Sequence, residues 1–164
     1  MPRKARTQPL IPSQKPRPFD LASRYAADTV VVRVMDPVTP LGAPEVDTGL
    51  RVRIRSIYSD EARKAAQAAR ELVKTLPDGS VDPNGPGMTE SVMEQTIAIT
   101  VEWWDENADE GQPALTIIEH GSAITATPEN VRRIYTQPRT AWVQRAVQTA
   151  YLERERFFEK PRTA

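Results

Sequence analysis

Hydrophobic and polar positions alternate most cleanly over residues 50–57, LRVRIRSI. Leu50, Val52 and Ile54 fall on one side of an extended chain, and Arg51, Arg53 and Arg55 fall on the other. The pattern predicts a half-buried strand with a wet, positive face. Residues 29–35, TVVVRVM, are rich in β-branched side chains, which lose little conformational freedom in a pleated strand. Between them, DPVTPLGAPEVDTG carries the prolines and glycines of a loop. The two strands should pair antiparallel. A lone hairpin is marginal in water, so helices are needed to cover its apolar face.

The period then changes. Ser59 or Asp60 is placed to cap a helix over EARKAAQAARELVKTL, and Asp60 and Glu61 suit the positive end of its dipole. Ala62, Ala65, Ala66, Ala69, Leu72, Val73 and Leu76 form its apolar stripe. PDGSVDPNGPG reads as a loop, after which Thr89 is a candidate cap. Residues 96–104 satisfy two periods. Ile97, Ile99, Val101 and Trp103 alternate like a strand, whereas Val92, Met93, Thr96, Ile97, Thr100, Val101 and Trp104 make a helical stripe. Length and the candidate cap favour helix. Residues 105–126 read as a loop with a short strand at 115–118. Thr127 with Pro128 opens a short helix to about Thr136, and Gln137-Pro138 breaks it. A last helix is expected over residues 138–158, with Trp142, Val147 and Tyr151 on the stripe that anchors it. The expected fold is α+β: a small antiparallel β unit of two to three strands covered by three to four helices.

Composition adds a boundary. The 164 residues suit one domain, and 39% hydrophobic content allows a packed core. The formal net charge is zero, yet residues 1–18 hold Arg3, Lys4, Arg6, Lys15 and Arg17 with no acid. The remaining residues carry 17 basic and 22 acidic side chains, a net of −5. Five of the fifteen prolines also fall in residues 1–18. That segment reads as a flexible basic arm, residues 19–160 as the domain, and residues 161–164 as a tail. The basic start is not followed by the apolar run of a secretory signal, and no stretch approaches the roughly 18 apolar residues of a membrane span. Without cysteine there is no disulfide framework, which fits a reducing cytoplasm.

Catalytic chemistry is thinly represented. His120 is the sole histidine and lies in the turn signal EHGS, with no carboxylate specified to orient it. Asp105, Asn107 and Asp109 have the first spacings of a calcium loop, but Glu110 stands where glycine is needed and Thr116 where a bidentate glutamate is needed. No phosphate-binding glycine motif is present. No catalytic, cofactor-binding or metal-binding residue is therefore assigned. The row Arg51, Arg53 and Arg55 has a possible use on phosphates, against its ordinary use in keeping a strand face soluble. Of the adjacent Trp103 and Trp104, one can be buried while the other faces elsewhere, where it suits a binding hot spot.

The order of these features resembles the tail assembly chaperones of long-tailed bacteriophages and prophages. The segments that carry the resemblance are FDLASRYAADTVVVRVMDPVTPLG, VRIRSIYSDEARKAAQAA, TIAITVEWWD and, most closely, TPENVRRIYTQPRTAWVQRAVQTAYLERERFF. Together they span roughly residues 19–158. The resemblance implies a small non-enzymatic protein of the host cytoplasm. It would keep the tape measure protein soluble while the tail tube polymerises, with the tail tube protein as a further partner. Trp103, Trp104, Trp142, Tyr151, Phe157, Phe158 and the arginines 51, 53 and 55 are the candidate partner-binding residues. The alternatives are a structural virion protein, such as a minor tail or connector component, and a nucleic-acid-binding accessory protein.

Overall fold

A computed structural model describes residues 26–38 and 43–158. The arm over residues 1–18 and the tail over residues 161–164 lie outside the described residues. Within them the fold is α+β. The expected hairpin forms from β1 (Thr29–Met35) and β2 (Asp47–Arg55). A third strand, β3 (Thr100–Asp105), joins the other side of β2, and both pairings are antiparallel in the order β1-β2-β3. Val32, Val52 and Trp103 are in register across the three strands and all are buried.

Among the described residues four α-helices accompany this sheet, and the last of them packs directly on β1 and β2. Helix α1 (Asp60–Leu72) starts where the sequence places it, with the Ser59 hydroxyl accepting the Ala62 N–H. It stops at Leu72 and does not continue to Leu76; Leu72 and Leu76 are exposed, Ala62 and Ala69 are buried, and the helix packs against the next helix. Helix α2 (Met88–Ile99) is capped two residues before the expected Thr89. Gly87 is its N-cap, and Glu90 accepts the Gly87 N–H at 2.9 Å. Ser91 of α2 donates to the Ala69 carbonyl at 2.6 Å, which locks the two helices together.

The continuous helix favoured for residues 96–104 is not formed. Helix α2 passes directly into β3 at Thr100. Thr100 donates to the Thr96 carbonyl and shares a hydrogen bond with the Tyr135 hydroxyl at 2.8 Å. The β-branched Thr100 and Val101 have little intrinsic helical preference, and the open edge of β2 offers their backbone a ladder. Each of the two sequence periods describes part of this segment.

After β3 the chain makes a loop and then a second hairpin, β4 (Thr116–Glu119) with β5 (Ser122–Thr125). His120 and Gly121 both have positive φ, 50° and 79°, as a two-residue turn of type I′ requires. The turn signal was legible in the sequence; β5 was not. Helix α3 (Pro128–Thr136) is capped by the Thr127 hydroxyl and ends at Gln137, as expected. Helix α4 (Ala141–Leu152) is shorter than expected. Residues 137–140 form a turn, and a 3-10 turn, Arg154–Phe157, follows the helix. Val143, Val147 and Ala150 are its buried centre line, packed over β1 and β2, whereas Trp142 and Tyr151 lie at the half-buried edges. Of the expected anchors, Val147 thus lies at the buried centre, while Trp142 and Tyr151 pack against the core only from its edges.

One glycine is fixed by geometry. Gly49 has φ +84° beside an irregularity in the β1–β2 ladder. Its N–H donates to Asp47 and its carbonyl accepts from Glu106 at 3.0 Å, and a Cβ placed on it would overlap the Asn107 amide. Gly49→Ala is expected to cost at least about 1–2 kcal/mol, the penalty of left-handed backbone for a residue with a Cβ. Urea unfolding of the variant measures it; an unchanged midpoint would contradict the assignment.

Candidate functional site

Successive side chains on a strand point to opposite faces, and this separates the two tryptophans of β3. Trp103 faces the helices, is fully buried, and donates its indole N–H to the Ile124 carbonyl at 3.0 Å. That bond ties the β4–β5 hairpin to the sheet. Trp104 is half-buried on the other face, beside Arg51 and Glu102. The Arg53 guanidinium carbon lies 5.6 Å from the Trp104 ring centroid, within cation–π range, while Arg53 also pairs with Glu102 at 2.8 Å.

Trp104 and Arg53 line a groove of about 260 Å³ whose other walls come from residues 105–116: Asp105, Ala108, Gln112, Pro113, Ala114, Leu115 and Thr116. Gln112 braces the loop by donating to the Thr116 carbonyl at 2.9 Å, and the Thr116 hydroxyl donates to the Pro113 carbonyl at 2.6 Å. Leu115 is held at φ 58° with its side chain 45% exposed. A leucine in left-handed backbone is strained, and strain of this kind concentrates at binding and catalytic sites. The groove has room for one or two apolar side chains of a docked segment. Trp104 was legible from the Trp-Trp pair. Pro113, Ala114 and Leu115 were missed, although PAL is an apolar run that closes the acidic stretch DENADEGQ.

The arginine row is not the free cationic face that alternation suggested. Arg51 is buried. Its guanidinium makes a two-pronged contact with Asp47, 2.7 Å on each prong, and a further one with Glu106. Arg53 pairs with Glu102, and Arg55 approaches Glu61 at 3.9 Å. Each cation of the row therefore has a carboxylate partner. Phe157 is fully buried beneath β1, so like Trp103 it belongs to the core and offers no partner surface. Phe158 is partly exposed and meets the Tyr58 ring edge-on, with centroids 5.4 Å apart. The Tyr151 hydroxyl accepts from Gln95 at 3.3 Å, and the Trp142 indole donates to the Arg139 carbonyl at 3.1 Å. These residues do not converge with Trp104 on one site.

The Asp47–Arg51 pair has a consequence in acid. The Arg51 fork, aided by the Gly49 N–H, lowers the Asp47 carboxyl to about 2. The unfolded-state value is about 3.9, so the pair contributes its full stability above roughly pH 4 and loses it as pH falls towards 2. Asp47→Asn should therefore flatten the decline of melting midpoint over that window. An unchanged slope would show that the pair is not coupled to folding.

No group of three or more potential ligands able to hold a metal ion occurs among the described residues, and none of their helices is long and apolar enough to cross a membrane. Asp105 and Asn107 lie in one turn, in which the Asp105 carboxylate accepts the Asn107 N–H at 2.8 Å, and in the next turn the Asp109 carbonyl accepts the Gln112 N–H. His120 is exposed at the tip of the β4–β5 turn. No protein-family model, curated protein or solved structure matches the chain.

Proposed function

We propose that this protein is a phage tail assembly chaperone, a binding protein that captures an apolar segment of the tape measure protein in the Trp104 groove. The observation that carries the reading is the groove itself. It pairs a half-buried tryptophan with a braced, strained loop on the sheet face opposite the helical core. An aromatic anchor in a preformed pocket is the arrangement from which binding hot spots are built. The ordered resemblance of residues 19–158 supplies the identity of the partner, and the tail tube protein is a second partner in the same assembly. The protein works in the host cytoplasm and leaves before the particle is complete. A tape measure chain exposes apolar helical surface until the tube encloses it, and side chains three or four residues apart on such a helix can enter a groove as anchors.

Co-expression tests this. The tape measure protein of the same phage should be soluble with this protein, insoluble without it, and should co-purify. Because apolar contact dominates, raising the salt should weaken the complex little, whereas binding to nucleic acid falls steeply with salt. An insoluble tape measure protein in both cases overturns the reading. Stoichiometric copies of this protein in purified virions would replace it with the structural alternative.

A further inference from the structure

The groove has an acidic rim. Asp105 lines it, and Asp109 and Glu110 follow in the same loop, both exposed and without an ion pair among the described residues. An apolar, tryptophan-based groove beside unneutralised carboxylates suits a ligand that is both apolar and basic. The chain supplies one. Residues 1–18 hold five cations, five prolines and no acid, and their order has a period of three: Arg3, Arg6, Pro9, Pro12, Lys15 and Pro18. A polyproline II helix has three residues per turn, so these six positions would form one edge of it, with two central prolines flanked by cations. A polyproline II helix is extended before it docks, loses little entropy in doing so, and is the form in which proline-rich peptides enter aromatic-lined grooves.

We infer that residues 3–18 dock in the Trp104 groove of their own chain, with Pro9 and Pro12 on Trp104 and the flanking cations on the carboxylates of residues 105–110. The reach is sufficient. Ala26, the first described residue, pairs with Phe158 beside β1. Arg33 of β1 pairs with Arg51, and Trp104 lies one strand further, beside Arg51. Seven residues along a strand and two strand spacings give a separation of roughly 25 Å. Fourteen residues from Pro12 to Ala26 span up to about 46 Å. A tether of this length holds the segment near the groove at an effective concentration on the order of millimolar, so modest intrinsic affinity keeps the groove occupied. A partner must then displace the segment. The docking needs only the groove and not the tape measure protein.

Carbodiimide coupling, which joins a lysine amine to a carboxylate it touches, tests this on the full chain alone, so its outcome is independent of the tape measure reading. Mass spectrometry should find Lys15 or Lys4 joined to Asp105, Asp109 or Glu110. In a mixture of nitrogen-14 and nitrogen-15 protein the two halves of each linked pair should carry the same isotope. Pro9→Ala with Pro12→Ala, in the full chain, should reduce these products and leave those from Lys64 and Lys74 unchanged. Three results overturn the inference: products from Lys64 and Lys74 but none from Lys4 or Lys15, products of mixed isotope, or yields indifferent to the two prolines.

Discussion

Replacing Trp103 by alanine lowers the unfolding free energy by about 3–5 kcal/mol, the range for a buried tryptophan cut back to a methyl group. The side chain is fully buried, in register with Val52 and Val32, and its indole N–H satisfies the Ile124 carbonyl. Truncation opens a cavity beneath three strands and releases the β4–β5 hairpin from the sheet. Against a total stability of about 5–15 kcal/mol this is a large fraction, and the melting midpoint should fall by roughly 10–20 °C. Trp103→Phe separates the two contributions. It retains most of the volume but leaves the carbonyl without its donor, at a cost of about 1–3 kcal/mol. Thermal melting followed by circular dichroism reads both. A fall of only a few degrees for Trp103→Ala would mean that the inner face of β3 is not packed as described.

Trp104→Ala should have the opposite profile. Its ring is half-buried on the far face, so its loss costs the fold little by comparison. Binding should suffer instead. An aromatic anchor at the centre of an interface is worth about 2 kcal/mol or more, so affinity for the tape measure segment should fall about thirty-fold. Replacing Glu110 by glutamine, at the rim, should change the same affinity far less. Isothermal titration with the purified complex partners measures each. Equal losses from Trp104→Ala and Glu110→Gln would place the binding energy elsewhere on the surface.

The contrast between these neighbours shows what the sequence could convey. Strand parity predicts that Trp103 and Trp104 part company, and the caps at Ser59 and Thr127, the break at Gln137-Pro138 and the EHGS turn depend only on local chemistry. The strand β3 was legible only as the less favoured of two periods, because its formation depends on the free edge of β2, fifty residues away. The pairing of Arg51 was hidden for the same reason. Asp47 and Glu106 become its partners only when the Gly49 irregularity and the loop after β3 converge. The groove is half legible: a tryptophan announces itself, but the Pro113–Thr116 wall is set by side-chain to backbone bonds that no period encodes.

The central claim is that a partner meets this protein at Trp104. The chain has three tryptophans, so a nitrogen-15 spectrum contains three indole N–H signals, each assignable by single substitution to phenylalanine. Addition of the tape measure segment should shift the Trp104 indole signal strongly and leave the Trp103 signal, fixed on Ile124, in place. A complex that forms while the Trp104 signal stays still would contradict the account.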